Sequence, residues 1–224
     1  MNESCAELDM EQAKPLNLKT HMYFFTKRFF DVVFGLIGCL FIIPIAIIVK
    51  IAYMLTGDFN RIFYKQVRVG KYGKNFNMYK FRTMVPNADV ILNDLLKDPK
   101  RQAEWKKHQK LEHDPRITKI GHILRKCSLD EVPQFLCLLN GNMSLVGPRP
   151  LVDGEIEMHD GNANLYQAVR PGITGWWAVN GRSAIEYEDR LKLEYYYVKH
   201  CSILFDLKII FKTFQIIWTH EGAN

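Results

Sequence analysis

The sequence has few of the features that mark several common protein classes. Its 224 residues include five cysteines and no CxxC pair, which argues against a secreted disulfide framework and favours a reducing, cytosolic setting. A phosphate-binding P-loop and the GxGxxG, HExxH and GxSxG motifs are absent. The seven histidines show no metal-ligand spacing, so a zinc site is not expected. Repeats and low-complexity tracts are also missing.

Negative charge is scarce in one part of the chain. Lysine and arginine total 30 against 24 for aspartate and glutamate, a net charge of +6 that suits an anionic partner. Acidic residues are absent between Asp58 and Asp89, and aromatic residues are interleaved with the basic ones over residues 61–82. That pattern is a weak nucleic-acid signature, but lipid headgroups explain it more simply beside an apolar segment. No nucleic-acid partner is expected.

The apolar segment is residues 32–49, which carry no charge. Eighteen helical residues rise roughly 27 Å, about one hydrocarbon core, so this is a membrane segment. Pro44 removes one hydrogen bond of such a helix and kinks it. Both flanks are basic, which favours the cytoplasmic side for each. Two topologies stay open: a kinked single span, which hydropathy alone prefers, or a helix that Pro44 breaks and that returns to one face.

The remaining pattern predicts an α+β, mainly helical protein with three parts. These are a polar lead-in over residues 1–22, the membrane helix over 23–56 and a catalytic domain over 57–224. A short β-hairpin is expected around the turn at 70–73, charged helices over 87–112 with an interruption at Pro99, a buried helix over 133–140 and a helix over 187–199. Over residues 203–218, polar residues form a narrow stripe on an apolar helix, which is either interfacial or a core helix with one solvated edge. The stripe consists of Lys208, Lys212, Gln215 and Thr219.

The strongest local signal is the run of residues 125–133, RKCSLDEVP. Ser128 and Glu131 have capping-box spacing, or else Pro133 is the first helical residue. Either arrangement puts Asp130 and Glu131 at a helix N-terminus, which favours anions. An ionised Asp130 beside Arg125 could bind a divalent metal or attack phosphorus, although capping alone is a sufficient role.

A second signal is Arg149 between two prolines, in residues 147–150, GPRP. A rigid backbone presents the guanidinium fork at low entropic cost, as a diphosphate site requires. A structural arginine paired with a nearby acid is the alternative. Arg170 and Arg182 also lie beside constrained loops.

Nine motifs occur in one order from about residue 24 to 214, and together they resemble the bacterial sugar transferases, the monotopic polyprenyl-phosphate phosphoglycosyl transferases. The run SLDE…GPRP is the most specific of them. The motifs are KR-x-x-D from Lys27, the proline-broken helix, Q-x-R-x-G from Gln66, KFRTM (80–84), DPRIT (114–118), SLDEVPQ (128–134), MSLVGPRP (143–150), RPGITG (170–175) and NGR (180–182).

The resemblance implies a reaction and a site. Asp130 would attack the β-phosphate of a UDP-sugar, release UMP and carry the sugar phosphate until undecaprenyl phosphate takes it over. Glu131 would assist as base or orienting group, and Mg²⁺ would bridge Asp130 and the diphosphate. Galactose or glucose is the favoured sugar. The expected substrate-binding residues are Lys80, Arg82, Arg125, Arg149, Arg170 and Arg182.

The resemblance also implies a location and partners. Bacterial sugar transferases have a re-entrant hydrophobic helix and an active site at the cytoplasmic face of the bacterial inner membrane. The resemblance therefore implies that the helix breaks at Pro44. Membrane lipids and a second copy of the chain, in a homodimer, complete the expected partners. Larger members carry four further membrane helices and another domain, so this chain is expected to be a minimal catalytic unit.

Two positions depart from the usual pattern. Ala178 stands where members often carry Gln, and Glu194 where they often carry Asp, which bears on sugar choice or local packing. The competing hypothesis is a non-catalytic, membrane-anchored protein that binds phosphate or lipid. Such a protein would keep its function with Asn at position 130, whereas a transferase would not.

Overall fold

The computed structural model describes residues 18–108, 111–152, 154–159, 163–181 and 185–219. In these residues the protein is mainly helical, with two two-stranded sheets. The helices are α1 Leu18–Leu55, α2 Ala88–Leu95, α3 Pro99–His108, α4 Lys119–Lys126, α5 Phe135–Leu139, α6 Ala163–Gln167, α7 Tyr187–His200 and α8 Ile203–Thr219; the strands are β1 Phe63–Val69, β2 Asn75–Phe81, β3 Ser144–Val146 and β4 Gly172–Thr174. Short 3₁₀ segments cover Lys71–Gly73, Leu129–Gln134, Glu155–His159 and Ala178–Asn180.

Helix α1 contacts the rest of the protein along one stripe. Its buried positions recur every three, four or seven residues and lie on one face of the helix; they are Asp31, Gly35, Gly38, Ile42, Val49 and Tyr53. At a rise of about 1.5 Å per residue, this stripe is roughly 33 Å long. The opposite face is apolar and exposed, with Leu40 and Ile48 among its members. In the described part of the chain, α1 is the one helix long and apolar enough to cross a membrane.

Three charged residues tie the N-terminal half of α1 to the domain. Lys27 forms an ion pair of 2.6 Å with Asp206 of α8, and both side chains are about nine-tenths buried. Arg28 donates to the carbonyl oxygens of Leu138 and Leu139, where α5 ends and its dipole favours a cation. Asp31 Oδ1 accepts from the Ser144 hydroxyl at 2.9 Å and from the Leu145 backbone N–H at 2.8 Å. The KR-x-x-D motif is therefore an anchor.

Close approach of α5 to α1 depends on two glycines. A Cβ on Gly38 would lie 2.2 Å from the Phe135 ring, and one on Gly35 would lie 2.7 Å from the Leu139 side chain. Real Cβ atoms do not approach other atoms so closely, so a larger residue at Gly38 would have to displace the Phe135 ring, and one at Gly35 would have to turn the end of the Leu139 side chain aside. Since α5 follows directly after the 3₁₀ segment Leu129–Gln134, these glycines also set the position of that segment.

The C-terminal half of α1 packs on β2 and α4. Val49 and Tyr53 share a buried cluster with Phe81 and Leu124. The Tyr53 hydroxyl donates to the Arg82 carbonyl oxygen at 2.6 Å. Both halves of α1 thus contact the same body.

Helix α8 has an apolar exposed face. Asp206 and Ile209 are buried, whereas five large apolar side chains on the helix are more than half exposed: Leu204, Leu207, Phe211, Phe214 and Trp218. Lys208 and Lys212 lie over the Trp176 ring, at 5.5 and 4.9 Å from its centroid. A core helix with one solvated edge would not expose so much apolar surface, so the interfacial alternative is favoured.

Several expected elements are confirmed. The hairpin pairs β1 with β2 antiparallel, Pro99 begins α3, and the helix expected over 187–199 is α7. Helix α1 is continuous across Pro44, so the re-entrant course expected there stays a prediction. One proline removes one hydrogen bond, and the packing on either side maintains the helix. Residues 1–17 of the lead-in expected over 1–22 lie outside the described residues, and residues 18–22 belong to α1.

Replacing Lys27 with Met is expected to destabilise the protein by about 3 kcal/mol, because it leaves the Asp206 carboxylate buried without its cation. Denaturant unfolding in detergent micelles measures this. The control Lys97→Met, which removes an exposed pair with Asp94, should not change stability measurably. Equal stability of the two variants would show that the buried pair does not anchor α1.

Candidate active site

Two of the motifs meet at the end of β2. Met84 and Ile117 form an antiparallel bridge, and the Thr118 N–H donates to the Thr83 carbonyl oxygen at 3.0 Å. Thr118 then caps α4, because its hydroxyl accepts from the Gly121 N–H at 2.8 Å. Helix α4 therefore starts from the end of the hairpin and leads to the 3₁₀ segment Leu129–Gln134, which we call the dyad segment.

The dyad segment begins differently from either predicted arrangement. Ser128 has a left-handed backbone (φ 53°), and its hydroxyl makes no capping bond. The predicted capping box is wrong, since Glu131 Oε1 instead accepts from Lys80 Nζ at 2.8 Å. Pro133 lies within the segment and is not its first residue. Asp130 and Glu131 are in the first turn of this segment, so their predicted place at a helical N-terminus is confirmed.

Asp130 has an electrostatic environment suited to chemistry. Burial raises the pKa of its carboxyl to about 6, and the negative charge of Glu131 acts in the same direction. The positive charges of Lys80 and Arg125 act against this rise. Such a carboxylate is mostly ionised at neutral pH and is a stronger base than an ordinary aspartate.

Lys80 and Arg125 are the predicted cations that lie near the dyad. Lys80 extends from β2, which packs on the dyad segment, and its ion pair with Glu131 is partly exposed. Arg125 is in the last turn of α4, where its Nε donates to the Thr83 hydroxyl at 3.0 Å. The residue as a whole is exposed to solvent, and its positive charge acts on the Asp130 carboxyl.

Arg82 is committed to structural contacts. It donates to Asp58 Oδ2 at 2.7 Å and to the carbonyl oxygens of Met84 and Arg61, both at 2.8 Å. Its guanidinium also lies 4.3 Å from the centroid of the Tyr53 ring. These contacts use all the nitrogens of the guanidinium, so its expected role in substrate binding stays a prediction without support from the geometry.

The remaining predicted arginines lie in other surroundings. Arg149 Nη1 pairs with Glu155 at 3.0 Å, and Arg170 Nε donates to the Gly141 carbonyl oxygen at 2.7 Å. Arg182 lies outside the described residues. Sequence reasoning missed Glu155, Arg190 and the structural role of Glu194, because charged residues in a helix of mixed composition carry no signal of burial.

The donor set at the dyad suits a hard cation that also takes ligands from a substrate. In the part of the chain that the structure describes, no three His, Cys, Asp or Glu side chains form a metal cluster. Two adjacent carboxylates, Asp130 and Glu131, provide oxygen ligands of the kind that Mg²⁺ uses together with substrate phosphates and water. The residues present therefore fit that mode of binding and not a closed protein cage.

Comparison with protein families identifies the group to which these features belong. Residues 22–220 match the family model described as bacterial sugar transferase. The chain belongs to the bacterial sugar transferase family. The motifs that suggested this membership are the ones that form the α1 anchor, the hairpin end and the dyad segment.

Three relatives show how far the similarity extends. The chain is 42% identical over 210 residues to the UDP-galactose-lipid carrier transferase of Erwinia amylovora, and 41% over 208 residues to the undecaprenyl-phosphate galactose phosphotransferase of Salmonella typhimurium. Each comparison covers 92% of this chain but 43% of the relative, so the chain spans less than half of their length. The exopolysaccharide production protein ExoY of Sinorhizobium fredii is 40% identical over 199 residues, 88% of either protein.

Two substitutions should move the pKa of Asp130 in opposite directions. Glu131→Gln should lower it below about 6 by removing a neighbouring negative charge, and Lys80→Met should raise it by removing a positive one. Titration of ¹³C-labelled aspartate carboxylates by NMR measures both shifts. Lys97→Met is the control and should leave the value unchanged. Shifts of the same sign, or none, would contradict this electrostatic description.

Proposed function

We propose that this sugar transferase moves a sugar 1-phosphate from a UDP-sugar to undecaprenyl phosphate and releases UMP, in the first membrane step of exopolysaccharide or capsule synthesis. The observation that carries the proposal is Asp130, a carboxylate whose pKa is raised by burial and on which the positive charges of Lys80 and Arg125 act. The names of the relatives supply UDP-galactose as donor and undecaprenyl phosphate as acceptor, and glucose stays the alternative sugar expected from the sequence. The expected homodimer stays a prediction.

The reaction has two displacements at phosphorus. A carboxylate oxygen of Asp130 attacks the β-phosphorus of the UDP-sugar, the bond from that phosphorus to the bridging oxygen breaks, and UMP leaves with the electron pair. A phosphate oxygen of undecaprenyl phosphate then attacks the same phosphorus. The bond to Asp130 breaks, which restores the carboxylate and yields undecaprenyl diphosphate sugar.

The neighbouring residues have separate tasks in this scheme. Arg125 and Lys80 provide positive charge where the phosphoryl oxygens gain negative charge. Glu131, held by Lys80, orients the dyad and raises the basicity of Asp130. Asp130 and Glu131 would hold Mg²⁺, which when bound neutralises charge on the diphosphate.

The packing of α1 and the exposed apolar faces of α1 and α8 support a location at the membrane surface. Both halves of α1 pack on one body, so the two ends of the apolar segment cannot lie on opposite sides of a bilayer unless that body crosses it too. Exposed apolar residues on α1 and α8 provide surface for burial in lipid. We place the protein at the cytoplasmic face of the inner membrane, where UDP-sugars are available.

The direct test of function is UMP release from UDP-galactose in the presence of undecaprenyl phosphate and Mg²⁺. Asp130→Asn should lose at least about a thousandfold in rate, because an amide cannot attack phosphorus. Asp94→Asn makes the same change at an exposed position on α2 and should keep full activity. Activity of Asp130→Asn close to that of the unmodified chain would exclude Asp130 as nucleophile. No UMP release by the unmodified chain would favour the non-catalytic binding protein.

Reporter fusions test the location. Green fluorescent protein attached to either terminus should fluoresce, and alkaline phosphatase attached to either terminus should stay inactive, because both ends are expected on the cytoplasmic side. Active phosphatase at the N-terminus alone would mean that α1 crosses the membrane.

A further inference from the structure

The backbone around Arg149 is held by buried side chains from three elements. Glu194 Oε1 of α7 accepts from the Arg149 N–H at 3.4 Å, and the Tyr166 hydroxyl of α6 donates to the Arg149 carbonyl oxygen. Arg68 Nη1 of β1 donates to the Pro150 carbonyl oxygen at 3.0 Å. All three side chains are at least nine-tenths buried. Because buried side chains from three elements fix this backbone, the point from which the Arg149 side chain extends is well defined.

The Arg149 side chain closes a ring of alternating charges. Its Nη1 donates to both carboxylate oxygens of Glu155, at 3.0 and 3.3 Å. Glu155 also lies 3.7 Å from Arg190 Nη2, and Arg190 Nε lies 3.8 Å from Glu194 Oε1. The ring therefore runs from the Arg149 side chain through Glu155, Arg190 and Glu194 back to the Arg149 backbone.

One edge of the Arg149 guanidinium stays available for a ligand. Glu155 takes Nη1, and in the described residues no hydrogen bond occupies Nε or Nη2 of Arg149, whose side chain is partly exposed. Nε and Nη2 form the edge that binds two oxygens of a phosphate at once. Glu155 thus orients this edge without blocking it.

We propose that Glu194 is a positioning residue for Arg149, which it holds both through the backbone N–H and through the Arg190–Glu155 link. The proposal rests on the proposed function, because it takes the available edge of Arg149 as a contact to the diphosphate of the UDP-sugar. Glu194 itself is completely buried and would not touch the donor. It would act by fixing where the guanidinium points.

The ring should respond to pH through Glu194. Burial raises the pKa of Glu194 to about 7. The negative charge of Glu155 acts in the same direction, and the positive charges of Arg190 and Arg149 act against the rise. Once protonated, Glu194 attracts Arg190 less, so Arg190 competes with Arg149 for Glu155. Burial raises the pKa of Tyr166, which faces Glu194 from α6, well above 10, and it lowers the pKa of nearby His159 below its ordinary value.

The test measures the affinity for UDP-galactose by calorimetry in chains that also carry Asp130→Asn, so that the donor is not consumed. With Glu194 in place, binding should tighten as the pH rises through about 7. Glu194→Gln should weaken binding about tenfold at pH 8 and remove the pH dependence, since the amide accepts the Arg149 N–H but has no charge for Arg190. Melting temperatures confirm that each variant is folded.

Matched variants complete the design. Asp189→Asn replaces an exposed carboxylate on the same helix and should bind like the parent. Arg149→Ala should weaken binding at least as much as Glu194→Gln. If Glu194→Gln does not fold, Glu155→Gln breaks the ring from its more exposed side and should weaken binding about tenfold.

The proposal is overturned if a folded Glu194→Gln or Glu155→Gln chain binds UDP-galactose like the parent, or if Arg149→Ala does. These outcomes do not depend on turnover. Failure of the proposed function appears elsewhere, as UMP release by a chain that carries Asp130→Asn alone.

Discussion

The buried contacts of Lys27, Arg28 and Asp31 determine how α1 and the domain are joined, and the rest of the structure depends on this junction. Each of these charges is removed from water and would be unfavourable there without its partner. Asp206, the end of α5 and the start of β3 supply those partners. The most apolar helix of the protein is thereby fixed to the face that carries α5, and α5 follows directly after the dyad segment.

This junction connects the apolar surface of the protein with the proposed chemistry. A carboxylate that attacks a UDP-sugar and then delivers phosphorus to a lipid must be accessible to an aqueous donor and to an acceptor held in the bilayer. The buried stripe of α1 packs on the domain, and the opposite face of α1 is apolar and exposed. Gly35 and Gly38 bring α5 close to α1. The packing of α5 on α1 therefore also positions the dyad segment, which directly precedes α5.

The sequence predicted elements whose signals are local. The hairpin around Gly73, the start of α3 at Pro99 and the amphipathic pattern of α8 depend on turn residues and periodicity within a short stretch. The family motifs also named Asp130, Glu131, Lys80 and Arg125, whose charges act on one another in the structure, while their roles stay a prediction.

What the sequence did not predict depends on contacts between distant residues. The pairing of Glu131 with Lys80 arises because β2 packs on the dyad segment, and no local pattern predicts the left-handed backbone of Ser128. The ring around Arg149 joins residues from a loop, a 3₁₀ segment and α7, and the structural commitment of Arg82 involves Asp58 and Tyr53. The helical course through Pro44 is likewise maintained by packing on both sides of it. Local propensity contains no information about such partners.

The central claim is that Asp130 carries the sugar phosphate between donor and acceptor. The most direct measurement is the intact mass of the protein after incubation with UDP-galactose and Mg²⁺ without undecaprenyl phosphate. The account predicts a mass increase of one hexose phosphate, which is located on Asp130 by fragmentation, disappears when undecaprenyl phosphate is added and is absent from Asp130→Asn. UMP release that requires undecaprenyl phosphate, with no adduct under any condition, would contradict the account and indicate direct transfer.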